Sequence, residues 1–338
     1  MLTADNFRAS KLRGFMFGDA RPDNRPPPAF FSDAFACGAN IGRIFVQLGR
    51  NGDNYMVPPG TFETIDFYLA NTQFPIVLAV SAGAVNPGED FWTKPALLNS
   101  LIYIWKEIAA RYKNADLVAG YDLLNEPTSA WPVTKTSWNT WNDMAQKIHD
   151  AIRTYDPNRV VIVCPSPGGT ALAYYYGADF KPIVGTNIVY SLHWYEPYNV
   201  THWGVYPAFP MDDTIYYPGV KPSTAWPPGP RDKSWIAFML SFPRSWAQRY
   251  NIPMFVAEFS CVRWAPKNSR NLWLRDSINL FNEAGWSWAY HAWRSWPGWD
   301  PENDSVSTVL DDDIHDPYGP TITMLRKAFS AQYAGKEL

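Results

Sequence analysis

The sequence predicts a single (β/α)8 barrel over residues 1–338, with long loops at the C-terminal face of its strands. Three observations predict it. Apolar, strand-like runs alternate with amphipathic helical runs along the whole chain. Two of the strand-like runs, Gly120–Leu124 and Pro253–Ala257, lead straight into glutamates, Glu126 and Glu258. Strands buried on both faces read as continuous apolar segments, so a carboxylate at the end of one is conspicuous. Finally, no glycine-rich phosphate loop follows the first strand. Gly14 and Gly18 do not make a GxGxxG pattern, and that counts against the competing architecture, an open doubly wound sheet.

In chain order, Leu12–Gly18 is a first strand, followed by a proline-rich loop, Arg21–Pro28, and a short helix, Ala29–Cys37. Asn40–Gln47 is the second strand. Thr61–Asn71 is a helix with Thr61 as its N-cap, and Phe74–Val80 is the third strand. Pro95–Tyr112 carries the clearest periodicity: Leu97, Leu101, Ile104, Trp105, Ile108 and Tyr112 share one face. Pro95 is tolerated in its first turn, where the missing N–H has no partner to lose. Leu117–Leu124 is the fourth strand. Ser137–Tyr155 is a helix closed by Asp156-Pro157. Arg159–Cys164 and Asn187–Trp194 are the fifth and sixth strands. A long stretch dense in Pro, Tyr and Trp runs from Glu196 to Lys233, and loops of that length inside a compact domain are usually functional. Trp235–Tyr250 is a helix and Ile252–Glu258 the seventh strand. Asn268–Ala284 is a helix stopped by Gly285. Trp286–Trp293 is the eighth strand, and Thr321–Ala334 closes the chain as a helix.

Composition narrows the partners. Net charge is −3 and no Lys/Arg-rich run occurs, which excludes a nucleic-acid or anionic-membrane surface. Charged residues make up 18% while aromatics reach 16%, with 17 Trp. Flat aromatic faces suit the C–H faces of sugar rings, although a large aromatic core accounts for some of them. Cys37, Cys164 and Cys261 are few, odd in number and far apart, so neither a disulfide framework nor a zinc site is expected. His149, His202 and His315 show no metal-ligand spacing, and Asp311-Asp312-Asp313 reads as a solvated loop. No metal or cofactor is expected. The first 20 residues are charged, and no apolar run reaches membrane-spanning length. The expectation is a soluble monomer, cytoplasmic unless the sequence is a mature or truncated exported form.

The two glutamates carry the chemistry. Cleaving a glycosidic bond needs a proton donor to the leaving oxygen and a second carboxylate at the anomeric carbon. Pro127 keeps Glu126 at a strand-to-loop corner, and Asn125 is placed to bind a sugar hydroxyl. Read alone, either glutamate could be a helix cap or an arginine partner, Arg43 a surface ion pair, and His193 a satisfied core histidine.

Asn125-Glu126-Pro127 after a fourth strand, with Val256-Ala257-Glu258-Phe259 on a seventh, resembles glycoside hydrolase family 5, the cellulase/mannanase family, over nearly the whole chain. The resemblance implies that Glu126 is the general acid/base and Glu258 the nucleophile. Arg43 matches the second-strand arginine that contacts the nucleophile. His193 and Tyr195, in Ser191-Leu192-His193-Trp194-Tyr195, match the family's His-x-Tyr. Two positions depart from the family pattern. Ser81 stands where a third-strand histidine is common, and His291 stands where an eighth-strand tryptophan is usual. Trp293, two residues on, is expected to serve as the sugar platform, with His291 beside it as a further site residue. Trp131, Trp203, Tyr206, Trp226, Trp264, Trp296 and Trp299 are loop aromatics from which two or three platforms are expected.

The leading expectation is therefore a retaining β-glycoside hydrolase, an endo-β-1,4-glycanase of glucanase type, acting by double displacement. An exo-acting glycosidase or transglycosylase on an exopolysaccharide or oligosaccharide uses the same residues, with the Glu196–Lys233 stretch blocking one end of the cleft. A non-catalytic carbohydrate-binding barrel would keep the aromatics and lose the chemistry. Arg231, Lys233, Arg263 and Arg294 leave an acidic glycan open.

Overall fold

The computed structural model describes residues 1–20, 23, 25–82, 90–128, 135–176, 181–220, 229–310, 314–330 and 338. Eight parallel strands close a barrel: β1 (Arg13–Asp19), β2 (Ile41–Gln47), β3 (Ile76–Ser81), β4 (Val118–Asp122), β5 (Val160–Val163), β6 (Ile188–Trp194), β7 (Met254–Phe259) and β8 (Ser287–His291). Each strand pairs with its neighbours in sequence, and β8 returns to β1 through Arg13↔Trp288 and Phe15↔Tyr290. β3 to β7 are buried at every position, the burial that continuous apolar runs require. Each strand is followed by a helix: α1 (Ala29–Ala36), α2 (Thr61–Asn71), α3 (Pro95–Tyr112), α4 (Lys135–Arg153), α5 (Ala171–Tyr176), α6 (Lys233–Tyr250), α7 (Ser269–Glu283) and α8 (Pro320–Phe329). This is the (β/α)8 barrel that the alternation predicts.

The core has two layers. Outward-facing strand residues such as Ile44, Val46, Leu78, Tyr121 and Leu192 pack against the helices. Inward-facing Ile41, Val77, Ala119, Val160, Val189, Phe255 and Ala289 fill the barrel. Strand alternation makes that division, except on β4, where the pairing slips between Ile76↔Val118 and Val77↔Gly120 and Ala119 and Tyr121 face opposite ways. A 3-10 turn at Ala4–Phe7, which the sequence did not announce, closes the N-terminal end. Phe7 is buried with its ring 5.4 Å from Phe255, and Ser287 Oγ donates to its carbonyl at 2.9 Å. The small residue at Gly14 lets β1 approach β2: a Cβ there would sit 1.7 Å from the Ile41 carbonyl oxygen.

α2 and α3 have the bounds expected of them, but the N-cap of α2 is Gly60, in the left-handed region, and not Thr61. α6 starts two residues earlier than expected because Asp232 caps it, its Oδ1 accepting from Trp235 N at 3.1 Å. Its end is Asn251 in the left-handed region, φ 52°. Helix α5 was not expected: six residues, Ala-Leu-Ala-Tyr-Tyr-Tyr, are too few to show a period. A small hairpin, Gly49–Asn51 with Asn54–Met56, also adds to the β2–α2 connection. β8 stops at His291, short of the expected Trp293. In the long stretch after β6, the described residues form a helical turn, Tyr198–Thr201, and a two-residue pairing of Gly219–Val220 with Pro230–Arg231. The three cysteines are buried and unbridged. No helix among the described residues is long and apolar enough to cross a membrane.

Candidate active site

The strands deliver their polar residues to one end of the barrel, around a cleft of about 510 Å³. On β2, alternation sends Arg43, Phe45 and Gln47 inward. Phe45 and Gln47 line the cleft, and Arg43 lies beneath it with no exposed surface. On β7, the pairing with β6 slips between Val256↔Leu192 and Glu258↔His193. That bulge lets Ala257 remain in the barrel interior while Glu258, next to it, also reaches the cleft. After β4, Asn125 N still bonds to Val80 O at 2.7 Å, and Glu126 then takes a left-handed backbone, φ 44°. Such a conformation costs a non-glycine residue on the order of 1 kcal/mol or more and points to a geometric demand at that position. Thr128 Oγ1, donating to Glu126 O at 3.0 Å, helps to hold the corner.

Glu258 accepts from three side chains. Arg43 Nη1 donates to its Oε1 at 2.7 Å; the Tyr195 hydroxyl (3.0 Å) and His291 Nδ1 (2.9 Å) converge on its Oε2. Burial alone would push this carboxyl up, but the imidazoles of His193 and His291 and the Arg43 guanidinium hold it well below the ordinary value. Arg43 in turn donates to Asp122 Oδ2 (3.0 Å) and Asn125 Oδ1 (2.8 Å). Its burial is outweighed by Asp122 and Glu258, which raise its pKa. Burial raises Asp122, with Arg43 opposing.

Glu126 differs. Its side chain is 26% exposed, and its Oε1 lies 2.9 Å from His193 Nδ1. That same nitrogen is 3.7 Å from Glu258 Oε2. The three ligand atoms of Glu126, His193 and Glu258 all lie within 4.8 Å of one another. His193 is fully buried, which would lower it, yet Glu258 and Cys164 raise it well above the ordinary imidazole value. Its other nitrogen sits 4.0 Å from Cys164 Sγ. Burial and the Glu258 charge raise Tyr195, so its phenol stays neutral and remains a donor.

The cleft thus brings together Glu126, Glu258, Asn125, Tyr195 and His291, with Arg43 and His193 directly below. Trp293 is not there. It has no exposed surface, packs 4.7 Å from Phe15 and donates Nε1 to Phe30 O at 3.1 Å. The expectation of a platform at Trp293 rested on strand alternation, which ends at His291. Trp203 and Trp264 are also buried packing residues: Trp203 Nε1 donates to Asp212 O at 3.2 Å and Trp264 Nε1 to Trp203 O at 2.9 Å. Trp296 packs edge-on to Trp264 and Trp299 and does not line the cleft. Trp131, Trp226 and Asp311-Asp312-Asp313 lie outside the described residues. Among the described residues, the aromatics that line the cleft are Phe45, Tyr195, Tyr198, Tyr206 and Trp299, with His202 among them. Asp19, Phe45, Gln47, Tyr198 and His202 were not singled out from the sequence. Counting by twos from Arg43 finds Phe45 and Gln47, and counting by fours from Tyr198 finds His202 and Tyr206.

The loop cations point elsewhere. Arg263 donates to the carbonyls of Ser305, Ser307 and Val309, Arg294 pairs with Asp33 and Glu302, and Lys233 lies 3.7 Å from Glu283. A second cluster with metal-like spacing, Asp300, Glu302 and His315, is not among the residues that line the cleft. Arg294 Nε is already 2.7 Å from the Glu302 oxygen concerned.

A family model described as Cellulase (glycosyl hydrolase family 5) matches residues 83–297. Endoglucanase H of Acetivibrio thermocellus is 24% identical over 255 residues, covering 72% of this chain and 24% of the relative. Endoglucanase 3 of Fibrobacter succinogenes is 35% identical over 116 residues, 32% of this chain and 16% of that protein. The chain therefore spans about a quarter or less of the length of these curated relatives. Among solved structures, the clostridial cellulose synthase subunit Z of Clostridioides difficile superposes with a TM-score of 0.73 at 22% identity, covering 94% of this chain and 99% of that one. Endoglucanase Cel5A of Thermotoga maritima superposes at 0.71 and 18%, covering 97% and 100%. These likenesses share the fold, and the family model, which spans more than half of the sequence, decides the kinship: the chain belongs to glycosyl hydrolase family 5.

Proposed function

We propose that this chain is a retaining β-glycoside hydrolase that cuts within an uncharged β-1,4-linked glycan. One observation carries the proposal: a carboxylate oxygen of Glu126 and one of Glu258 lie within 4.8 Å of each other in a single cleft. Carboxyl groups about 5–5.5 Å apart suit retention, whereas about 6.5–9.5 Å leaves room for the water of an inverting reaction.

In this reading Glu258, held ionised by Arg43, Tyr195 and His291, attacks the anomeric carbon. Glu126 gives its proton to the glycosidic oxygen as that C–O bond breaks, and a glycosyl ester forms on Glu258. Glu126, now a carboxylate, takes a proton from water. The water attacks the same carbon and Glu258 leaves, so two inversions retain the configuration. His193 fixes the Glu126 carboxyl. Arg43 occupies Asn125 Oδ1, which leaves the amide nitrogen of Asn125 as a donor to a sugar hydroxyl.

Charge supports a neutral substrate. Asp19, Glu126 and Glu258 line the cleft, and among the described residues no Lys or Arg does. A uronate would meet like charge there, with no lining Lys or Arg among the described residues to compensate it. Family kinship and the endoglucanase relatives favour a glucan. Structures of Thermotoga maritima Cel5A with cellobiose and with mannotriose make a mannan the alternative to include.

The test is the anomer released first, read by proton NMR during hydrolysis of cellohexaose, barley β-glucan and mannohexaose. A β-configured first product supports retention; an α-configured one overturns it. Products of mixed length from the middle of the chain support endo action, and one product clipped from an end overturns that part. Glu258→Ala is expected to be inactive and Glu126→Ala crippled, each folded.

A further inference from the structure

His202 has no part in the proton and nucleophile chemistry above, yet the chain builds a cage of rings around it. Its backbone N donates to Tyr198 O at 2.8 Å, one turn back. Its ring stacks on Tyr198 (5.1 Å, 27°) and on Tyr206 (5.8 Å, 24°). Tyr195 and Trp299 meet it edge-to-face at 5.1 and 5.5 Å. Although only 5% exposed, it lines the cleft.

The hydrogen bonds fix which nitrogen carries the hydrogen. Thr201 Oγ1 has one hydrogen and donates it to Tyr195 O at 2.5 Å. The same oxygen lies 3.0 Å from His202 Nδ1, so at that contact the imidazole donates and the hydroxyl accepts. Burial and the neighbouring His291 bring His202 down to about 4, which keeps it neutral at ordinary pH. A neutral imidazole with its hydrogen on Nδ1 presents a bare lone pair at Nε2. That atom has no hydrogen-bond partner among the described residues and is not among the sealed atoms that lack one.

We propose that His202 Nε2 is a hydroxyl acceptor for the sugar unit next to the one being cleaved, with the exposed ring of Tyr206 as the apolar floor of that position. The proposal rests on the glycan reading above. The Tyr195 ring separates His202 from Glu258, because the Tyr195 hydroxyl sits on Glu258 Oε2 while its ring packs on His202. A hydroxyl on His202 therefore belongs to a neighbouring unit, not the reacting one. An acceptor alone in an aromatic cage selects for a free hydroxyl. It disfavours a carboxylate or an esterified oxygen, which would set lone pair against lone pair.

The experiment is calorimetric titration of cellotetraose, laminaritetraose and mannotetraose into the Glu126→Gln protein, alone and combined with His202→Phe or His202→Gln. Melting curves confirm that each variant is folded. The phenyl ring keeps the stack and removes the acceptor, and the Gln amide restores an acceptor oxygen. Weakening of about three- to tenfold in the Phe variant, largely recovered in the Gln variant, supports the proposal. Unchanged affinity in the Phe variant overturns it. Weakening that Gln does not recover also overturns it, since packing and not the acceptor would then carry the effect. If the Glu126→Gln protein binds none of the three, the glycan reading itself falls and this proposal with it.

Discussion

His291 Nδ1 lies 2.9 Å from Glu258 Oε2, on the oxygen that the Tyr195 hydroxyl also reaches. An imidazole here gives the proposed nucleophile a third donor where an aromatic platform would give it none. Hydrogen bonds to a charged acceptor contribute about 1.5–3 kcal/mol each. His291→Phe is expected to lower kcat by about tenfold or more, with Glu258 retained and the fold intact. Steady-state kinetics beside a melting curve reads it. Wild-type kcat in the Phe variant would show that Arg43 and Tyr195 suffice.

Arg43 is the keystone of the buried charges. It bonds Asp122, Asn125 and Glu258 at 2.7–3.0 Å with no exposed surface. Removing it leaves two buried carboxylates without their cation, a change that costs about 3–5 kcal/mol. Arg43→Met is therefore expected to melt lower and lose turnover, whereas a merely catalytic role would leave the melting curve unmoved. The acid limb of its residual activity should shift upward as well, because Glu258 loses a neighbour that favours its charged form.

His202 makes a pH signature in stability. Its folded value, about 4, lies below the ordinary 6.5. Between those values the unfolded chain takes up a proton that the folded chain refuses. The stability this group contributes is thus present above about pH 6.5 and is lost as pH falls toward 4, up to about 3 kcal/mol in all. Glu196 runs the other way, since burial pushes its carboxyl up to about 7. The wild-type curve mixes the two, and the difference between wild type and His202→Phe isolates the imidazole. From pH 7 to pH 4 the wild type is expected to lose stability relative to the variant, read by urea titration at each pH. Parallel curves would mean that the imidazole protonates in the folded protein as easily as in the unfolded one.

Gly169 supports the other site histidine. Its φ is +67°, and a Cβ there would meet Cys164 Sγ at 2.8 Å and the His193 ring at 3.2 Å. Its carbonyl also accepts from His193 N at 2.9 Å. Gly169→Ala is expected to cost about 1 kcal/mol or more and to displace His193 from Glu126. Turnover should fall more steeply than substrate affinity. Normal kcat in a folded Gly169→Ala protein would show that the His193 position is not set from this side.

The barrel was legible because its strands are buried on both faces and its longer helices show their period: Pro95–Tyr112 spans several turns and has the expected bounds. Residues held by strand geometry were legible too. Arg43, Glu126, His193, Tyr195 and Glu258 all sit on strands or within a few residues of a strand end, so strand order brings them to one end of the barrel, with the slip at Glu258 and the left-handed corner at Glu126 completing the alignment. The loop aromatics were not. A tryptophan in a loop reads the same whether it packs or faces solvent, and Trp203, Trp264 and Trp293 turned inward while Trp299 faces the cleft. The Trp293 expectation extended strand alternation past His291, where the strand stops. Tyr198, His202 and Tyr206 form one face at a spacing of four, but a helical turn of four residues leaves no period to detect.

Arg159 tests the frame beneath the site. Fully buried at the start of the β5 segment, it donates to the carbonyls of Tyr112, Lys113, Ala115 and Val118 and lies 3.2 Å from Asp156. Those carbonyls are the last turn of α3 and the run into β4, which the helix cannot satisfy itself. One guanidinium thus closes α3 and fixes the entry of β4, the strand that leads to Glu126. Arg159→Met keeps much of the volume but strips several buried acceptors and leaves Asp156 uncompensated. It is expected to cost about 3–5 kcal/mol in urea unfolding, with kcat near wild type wherever the protein remains folded. A loss below about 1 kcal/mol would mean that water takes over those carbonyls, and that α3 and β4 hold their relation through packing alone.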